Sequence, residues 1–260
     1  MKSDFKDLVV GGVAAAYGNL VPAWRGAWAS LALTGLAAGL WYATVNLPPR
    51  QIHTLDWFGL MLFIGLMAKG ATLRLALGRG KPGIGGVQLG RVEFQLILVA
   101  LLTFAFLFVL GLLFFVVLIC TGYAVASSGP GFKGAQVMTW APAIVGNGRW
   151  VFGAVGLLGA AGMVWAATRI SLGAVVTVAT GKVAVLSTWP VTRGRVVSIV
   201  VAALATFALP LAVVVVPSVA LRGLGELEAF RARVAEGVVL VGLWVPMGIG
   251  LMAFLVRRLA

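Results

Sequence analysis

This sequence has little charge, and most of the charge it has is basic. Only 10% of its 260 residues are Asp, Glu, Lys or Arg, against about 25% in ordinary soluble domains. Twenty basic residues outnumber seven acids, giving a net charge of +13, while 61% of the chain is hydrophobic. Because the basic residues are interspersed with apolar segments and form no separate domain, this composition argues against nucleic-acid binding. Anionic lipid headgroups are the counter-charge that we expect.

Residues that carry most enzyme chemistry are equally scarce. The chain has one cysteine, Cys120, and one histidine, His53. One cysteine forms neither an internal disulfide nor a thiolate metal cage, and we interpret Cys120 as a small buried hydrophobic residue. No acid lies at the centre of an apolar segment, where proton-coupled transporters usually keep one. We therefore predict a non-enzymatic protein with no catalytic residue, cofactor or metal.

Long apolar segments dominate the remainder. Phe94–Cys120 runs for 27 residues without a charge, which as a helix exceeds a hydrocarbon core about 30 Å thick. We predict an all-α, polytopic membrane helix bundle that forms a single membrane domain over residues 1–260. The predicted spans are residues 24–45, 57–77, 94–120, 150–168, 196–220 and 237–256, and three further segments are predicted to be interfacial: 4–22, 170–192 and 224–236.

The basic residues predict an orientation for these spans. With six spans, the side that holds the N-terminus receives 14 Lys and Arg residues and the opposite side receives 6. Basic residues accumulate on the cytoplasmic side of membrane proteins. We expect a multi-pass protein of the bacterial cytoplasmic (inner) membrane with both termini in the cytoplasm.

The interfacial segment at residues 224–236 has helical periodicity, with apolar residues on one face and charges on the other. Arg233 and Glu236 stand three residues apart, a spacing at which opposite charges stabilise a helix by a few tenths of a kcal/mol. The pattern favours a short surface helix, and the alternative is a lid or docking helix.

Five basic residues are candidates for contact with anionic headgroups or substrates. Lys69 is the most informative, because it lies about 12 residues into the second span, where an unpaired lysine is costly. One interpretation is that its side chain extends to the cytoplasmic headgroups; the other is an anion site. The full set is Lys69, Arg74, Arg169, Arg193 and Arg195.

Small residues and prolines mark the packing of the spans. Gly35 and Gly39 lie four apart in the first span, and four glycines recur every third residue between Gly153 and Gly162. Such spacing lets helices approach closely, within the bundle or, alternatively, in a homodimer. Three prolines are candidate kink positions that remove backbone donors and could border a cavity: Pro210, Pro217 and Pro246.

Residues 169–195 carry a pattern that resembles a family of multi-span bacterial membrane proteins. The family includes the YciC-like proteins and the membrane domain of some glycerophosphodiester phosphodiesterases, and the resemblance implies an all-helical bundle with a cytoplasmic hairpin but no reaction. Physically, Thr192 is expected to cap the fifth span. The segment would anchor the bundle, or act as a gate or docking site. The matching positions are Arg169, Ser171, Leu172, Trp189, Thr192, Arg193 and Gly194.

Two functions follow as hypotheses. The first is an accessory, assembly or lipid-interacting protein of the inner membrane, with membrane lipids, a membrane protein or a second copy as partner. The alternative is a small permease or a transporter of lipids or anions, with its site near the kinked fifth and sixth spans.

Overall fold

The computed structural model describes residues 2–45, 54–80, 82–127, 148–220 and 225–259. This part of the chain is all-helical and contains no strand, which confirms the predicted fold class. His53 lies outside it. Short 3-10 helices occur at Ile84–Gly86 and Leu186–Thr188. The α-helices are α1 (Lys2–Gly18), α2 (Leu20–Val45), α3 (Thr54–Leu77), α4 (Arg91–Ser127), α5 (Gly148–Ile170), α6 (Gly173–Thr180), α7 (Val196–Ala220) and α8 (Glu226–Leu259).

The helices coincide with the predicted apolar segments, and the polar flanks extend them. Five of them are long and apolar enough to cross a membrane, whereas the apolar stretch of α7 whose side chains are described is shorter. Residues 226–236, predicted as a separate surface helix, are instead the first turns of the 34-residue α8. The polarity of the sequence changes near Gly237, but nothing there interrupts the backbone hydrogen bonding of the helix.

By its internal contacts the chain groups into two compact units, and the single membrane domain predicted from the sequence stays a prediction. The first comprises residues 1–100 and 171–260, and the second comprises residues 101–170. In the first unit α2 packs against α3 and α8, while α1 packs against α7 and α8. Its core is built from large apolar side chains of several helices, among them Leu8, Leu73, Leu96, Leu172 and Leu255.

Glycines bring α2 and α8 into backbone contact. A Cβ atom at Gly35 would lie 2.7 Å from the Val238 Cα, and one at Gly39 would lie 2.6 Å from the Val234 carbonyl oxygen. Gly237 faces Gly39 from the other helix. The glycine pair of the first predicted span therefore packs within the bundle, where close approach increases the dispersion contacts that hold helices together in lipid.

Side chains near the N-terminus of the chain donate hydrogen bonds to the backbone of α8 around its proline. Pro246 has no N–H to donate to the carbonyl four residues earlier, at Gly242. The Trp24 indole donates to that Gly242 oxygen at 2.9 Å, and the Asn19 amide donates to the Pro246 oxygen at 2.7 Å. With these donors α8 continues through Pro246 as one helix.

The segment that precedes α7 differs from its prediction at Thr192. Thr192 does not cap α7, which begins at Val196; its hydroxyl donates instead to the carbonyl oxygen of Trp189, at 3.2 Å, in the preceding turn. Residues 170–192 contain the short helix α6, most of which is buried. Whether this segment and α1 lie at a membrane surface stays a prediction.

The second unit contains residues 101–127 of α4 and the helix α5. The Phe114 ring fills the space over Gly159, and a Cβ atom at Gly156 would lie 4.0 Å from the Leu118 side chain. Two glycines of the series in α5 therefore face α4, whereas Gly153 and Gly162 have nothing near them among the described residues. Most large apolar side chains of this unit are exposed. Cys120 is exposed too, so the prediction that it is buried was wrong.

Candidate functional site

An apolar cavity of about 540 Å³ lies within the first unit, between α2, α3, α7 and α8. Its walls carry the Trp41 and Tyr42 rings of α2 and the Trp244 ring of α8. The volume falls within the range of small-molecule pockets, about 300–1,000 Å³. The lining residues are Ala38, Trp41, Tyr42, Met61, Leu211, Glu236, Gly237, Leu240, Val241, Trp244 and Val245.

Ring contacts brace the aromatic walls of this cavity. Trp41 lies against Phe58 of α3, with ring centroids 5.5 Å apart. Trp244 stacks on Phe207 of α7 with centroids 4.0 Å apart. Because each pair joins two helices, packing between the helices holds the rings that form these walls.

Glu236 is the one ionisable carboxylate in the described lining. Its Oε1 atom is enclosed and has no hydrogen-bond partner among the described residues. The next residue, Gly237, packs against Gly39, so the backbone contact between α2 and α8 fixes where the carboxylate stands. A carboxylate in apolar surroundings is costly unless a donor or a cation reaches it.

Arg233 precedes Glu236 by one helical turn, and it also lacks a hydrogen-bond partner at one atom. Its guanidinium carbon lies 5.9 Å from the centre of the Tyr42 ring, and its Nη1 is enclosed and unpartnered within the described part of the chain. The two side chains influence each other electrostatically, but the described residues contain no salt bridge between them. The ion pair that their spacing predicted is therefore not formed.

Arg74, one of the predicted anion contacts, has an internal partner in the structure. It forms a buried salt bridge with Glu93, with 2.6 Å between Nη2 and Oε1, and Gly70 makes room for that carboxylate. Sequence reasoning overlooked Glu93. Arg74 lies in the last turn of α3 and Glu93 in the first turn of α4, but residues 78–90 separate the two helices, so no local spacing pointed to the pair.

The other predicted basic contacts stand in different surroundings. Lys69 is half-buried on α3 and Arg193 is exposed, while Arg195 is half-buried just before α7. Arg169 is buried in the last turn of α5, with its guanidinium carbon 5.0 Å from the centre of the Trp165 ring. Lys69 belongs to α3, whereas Arg193 and Arg195 lie in the segment just before α7.

The predicted kink positions lie close to the cavity in sequence. Pro210 is buried in α7 beside the lining residue Leu211, and Pro246 follows the lining residue Val245 in α8. The helix α7 includes Pro217, whose side chain lies outside the described part. The cavity is thus found near the fifth and sixth predicted spans, but its charged group is a carboxylate, where the sequence analysis expected basic residues.

Comparisons with known proteins give no assignment. No protein-family model, curated protein or solved structure matches this chain. The resemblance to the YciC-like proteins over residues 169–195 stays a prediction.

A second, smaller cavity of about 300 Å³ lies between α1, α3 and α8. It is bordered by Asn19, whose amide is engaged with Pro246, and by Arg257, which donates to the Ala76 carbonyl oxygen near the end of α3. Both polar side chains already bind backbone groups. This cavity therefore has fewer polar groups available to a ligand than the cavity lined by Glu236. Among the described residues no group of three or more His, Cys, Asp or Glu side chains could hold a metal ion.

Proposed function

We propose that this chain is a multi-pass protein of the bacterial cytoplasmic membrane that binds an amphiphile in the cavity between α2, α3, α7 and α8. The observation that carries the proposal is the cavity itself, an apolar chamber with aromatic walls and a charged group at its lining. An amphiphile matches this arrangement, because its chain replaces water in the apolar space while its headgroup meets the charge.

The exposed surface supports a lipid surrounding. In the second unit Phe104 is 67% exposed and Leu157 is 74% exposed. The most apolar window of the helical stretch Ile84–Val125 has none of its residues buried inside the protein. Monomeric soluble proteins rarely expose apolar patches of more than a few hundred Å². In a bilayer the same side chains contact lipid tails at no cost.

Six spans with both termini in the cytoplasm remain our interpretation of the topology. The 14 to 6 distribution of basic residues supports it, and it assigns residues 224–236 to the extracytoplasmic side. The cavity then lies in the outer half of the membrane, beside the outer leaflet. A reporter fused after Ala260 should be active only in the cytoplasm, and activity on the other side would contradict this topology.

The proposed role is to bind a lipid-like molecule. This is a form of the first hypothesis from the sequence, a non-enzymatic, lipid-interacting protein. Transfer of that molecule is the second candidate function, favoured by the position of the cavity beside Pro210 and Pro246 in α7 and α8. Prolines leave helices with fewer internal hydrogen bonds, which makes bending easier.

The test fills the cavity with a bulky side chain. Val241 lines it, whereas Val239, two residues earlier on α8, does not line it and is exposed. In nanodiscs of native lipid extract, followed by detergent release and native mass spectrometry, the unmodified protein should retain lipid. Val241→Trp should lose that lipid, and the matched control Val239→Trp should keep it. Equal retention by both variants, with both monodisperse and helical, would overturn the proposal.

A further inference from the structure

We propose that the amphiphile is cationic and carries a quaternary ammonium headgroup, which Glu236 and the tryptophan rings of the cavity attract. This inference rests on the proposed function, since it names the headgroup class of the molecule in the same cavity. It begins from the charges of the lining. In a chain with 20 basic and 7 acidic residues, the described lining contains one carboxylate and no lysine, arginine or histidine.

Glu236 gives this lining a negative charge. The residue is half-buried, and it forms no salt bridge within the described part of the chain. Its Oε1 atom is enclosed by protein, so a ligand cannot reach that oxygen to donate a hydrogen bond. A quaternary ammonium does not need such a bond, because it has no N–H and is attracted by the charge of the carboxylate as a whole. Apolar surroundings strengthen that attraction, since they screen charges less than water does.

Aromatic rings provide a second attraction for a cation. Trp41 and Trp244 line the same cavity as Glu236, and packing against Phe58 and Phe207 holds the two rings. The face of an indole ring attracts cations, and aromatic side chains recognise quaternary ammonium ligands in this way. The other lining residues are mostly aliphatic, which suits the alkyl chain of the same molecule.

Arg233 is the neighbouring cation whose charge opposes that of the ligand. It precedes Glu236 by one turn of α8 and interacts with it electrostatically, but it is not among the described lining residues. Its guanidinium carbon lies 5.9 Å from the centre of the Tyr42 ring. Arg233 therefore offsets part of the attraction that Glu236 exerts on a cation in the cavity. Removing Arg233 should strengthen cation binding, whereas removing the carboxylate of Glu236 should weaken it.

The experiment compares three decyl probes that differ in headgroup charge: decyltrimethylammonium, decyl sulfate and the uncharged decyl glucoside. Equilibrium dialysis measures their binding to the protein in nanodiscs of an uncharged galactolipid, and binding to empty discs is subtracted. We expect the unmodified protein to bind decyltrimethylammonium most tightly. Glu236→Gln should lower that affinity about tenfold, and Arg233→Gln should raise it about threefold. Neither change should alter the affinity for decyl glucoside.

The same helix offers matched controls. Glu228 and Arg231 have the same three-residue spacing and are both exposed, so Glu228→Gln and Arg231→Gln should leave all three affinities unchanged. Every variant is first checked for helicity and monodispersity.

The outcomes separate this inference from the proposed function. If the unmodified protein binds the uncharged or the anionic probe as tightly as the cation, the cation inference is overturned while the proposed function stands. The same holds if Glu236→Gln keeps the cation preference or if Arg233→Gln weakens it. Binding of none of the probes, or binding that Val241→Trp does not reduce, would overturn the proposed function itself.

Discussion

Replacing Trp24 by phenylalanine tests how this fold accommodates a proline in α8. The change keeps an aromatic ring but removes the N–H that reaches the Gly242 carbonyl oxygen at 2.9 Å. Because Pro246 supplies no backbone donor to that oxygen, the carbonyl has lost its usual partner within the helix. Trp24→Phe therefore leaves a backbone acceptor inside the bundle without this bond.

The expected magnitude follows from the proposed membrane environment. Hydrogen bonds between helices in a bilayer contribute about 0.6 kcal/mol on average and about 1.7 kcal/mol at most, and an unsatisfied buried acceptor costs about 1–3 kcal/mol. We expect Trp24→Phe to lower the free energy of unfolding by about 1–2 kcal/mol. In a Pro246→Ala background residue 246 regains its N–H, so the same change should cost about 0.5 kcal/mol or less.

The assay is reversible unfolding in mixed lipid–detergent micelles, applied to the four proteins of this double-mutant cycle. Trp28→Phe serves as the control, because Trp28 lies on the same helix and its side chain is exposed; it should change stability by less than about 0.5 kcal/mol. Equal costs of Trp24→Phe in the two backgrounds would refute the reasoning, since they would show that the indole does not compensate for the proline.

Two further predictions concern packing and buried charge. Glu93→Leu should destabilise the protein by about 3–5 kcal/mol, because it leaves Arg74 buried and unpaired. Adding Arg74→Met should recover much of that loss. Thermal unfolding of the single and double variants checks this, and a double variant as unstable as the single one would contradict it. Gly237→Ala should cost about 1–3 kcal/mol by forcing α2 and α8 apart. Gly153→Ala should be neutral or slightly stabilising, because no described residue lies within 4 Å of the added Cβ atom. Detergent-induced unfolding that ranks the two variants alike would count against the described helix crossing.

The helices themselves were predictable from the sequence. Apolar runs such as Phe94–Cys120 are long, nearly uncharged and flanked by polar residues, so both helical structure and approximate ends follow from local composition. The all-α class was confirmed on this basis. The error at residues 226–236 has the same source, since a change in polarity predicted a break that the continuous helix α8 does not contain.

Partners across the fold could not be predicted in this way. Glu93 stands 19 residues from Arg74, and Trp24 stands 218 residues from Gly242. Nothing in the local pattern of either segment identifies its partner. Helix packing decides these contacts, because side chains meet only where two particular faces cross.

The sequence by itself determined that this chain forms long apolar helices with few ionisable groups, because hydrophobicity and helical periodicity are local properties. Only the tertiary structure decided that Trp41, Tyr42, Glu236 and Trp244 would line one cavity. Those residues come from helices almost 200 positions apart, and glycines at one crossing set the distance between them. Which faces of two helices meet depends on packing across the whole fold, which no single segment encodes.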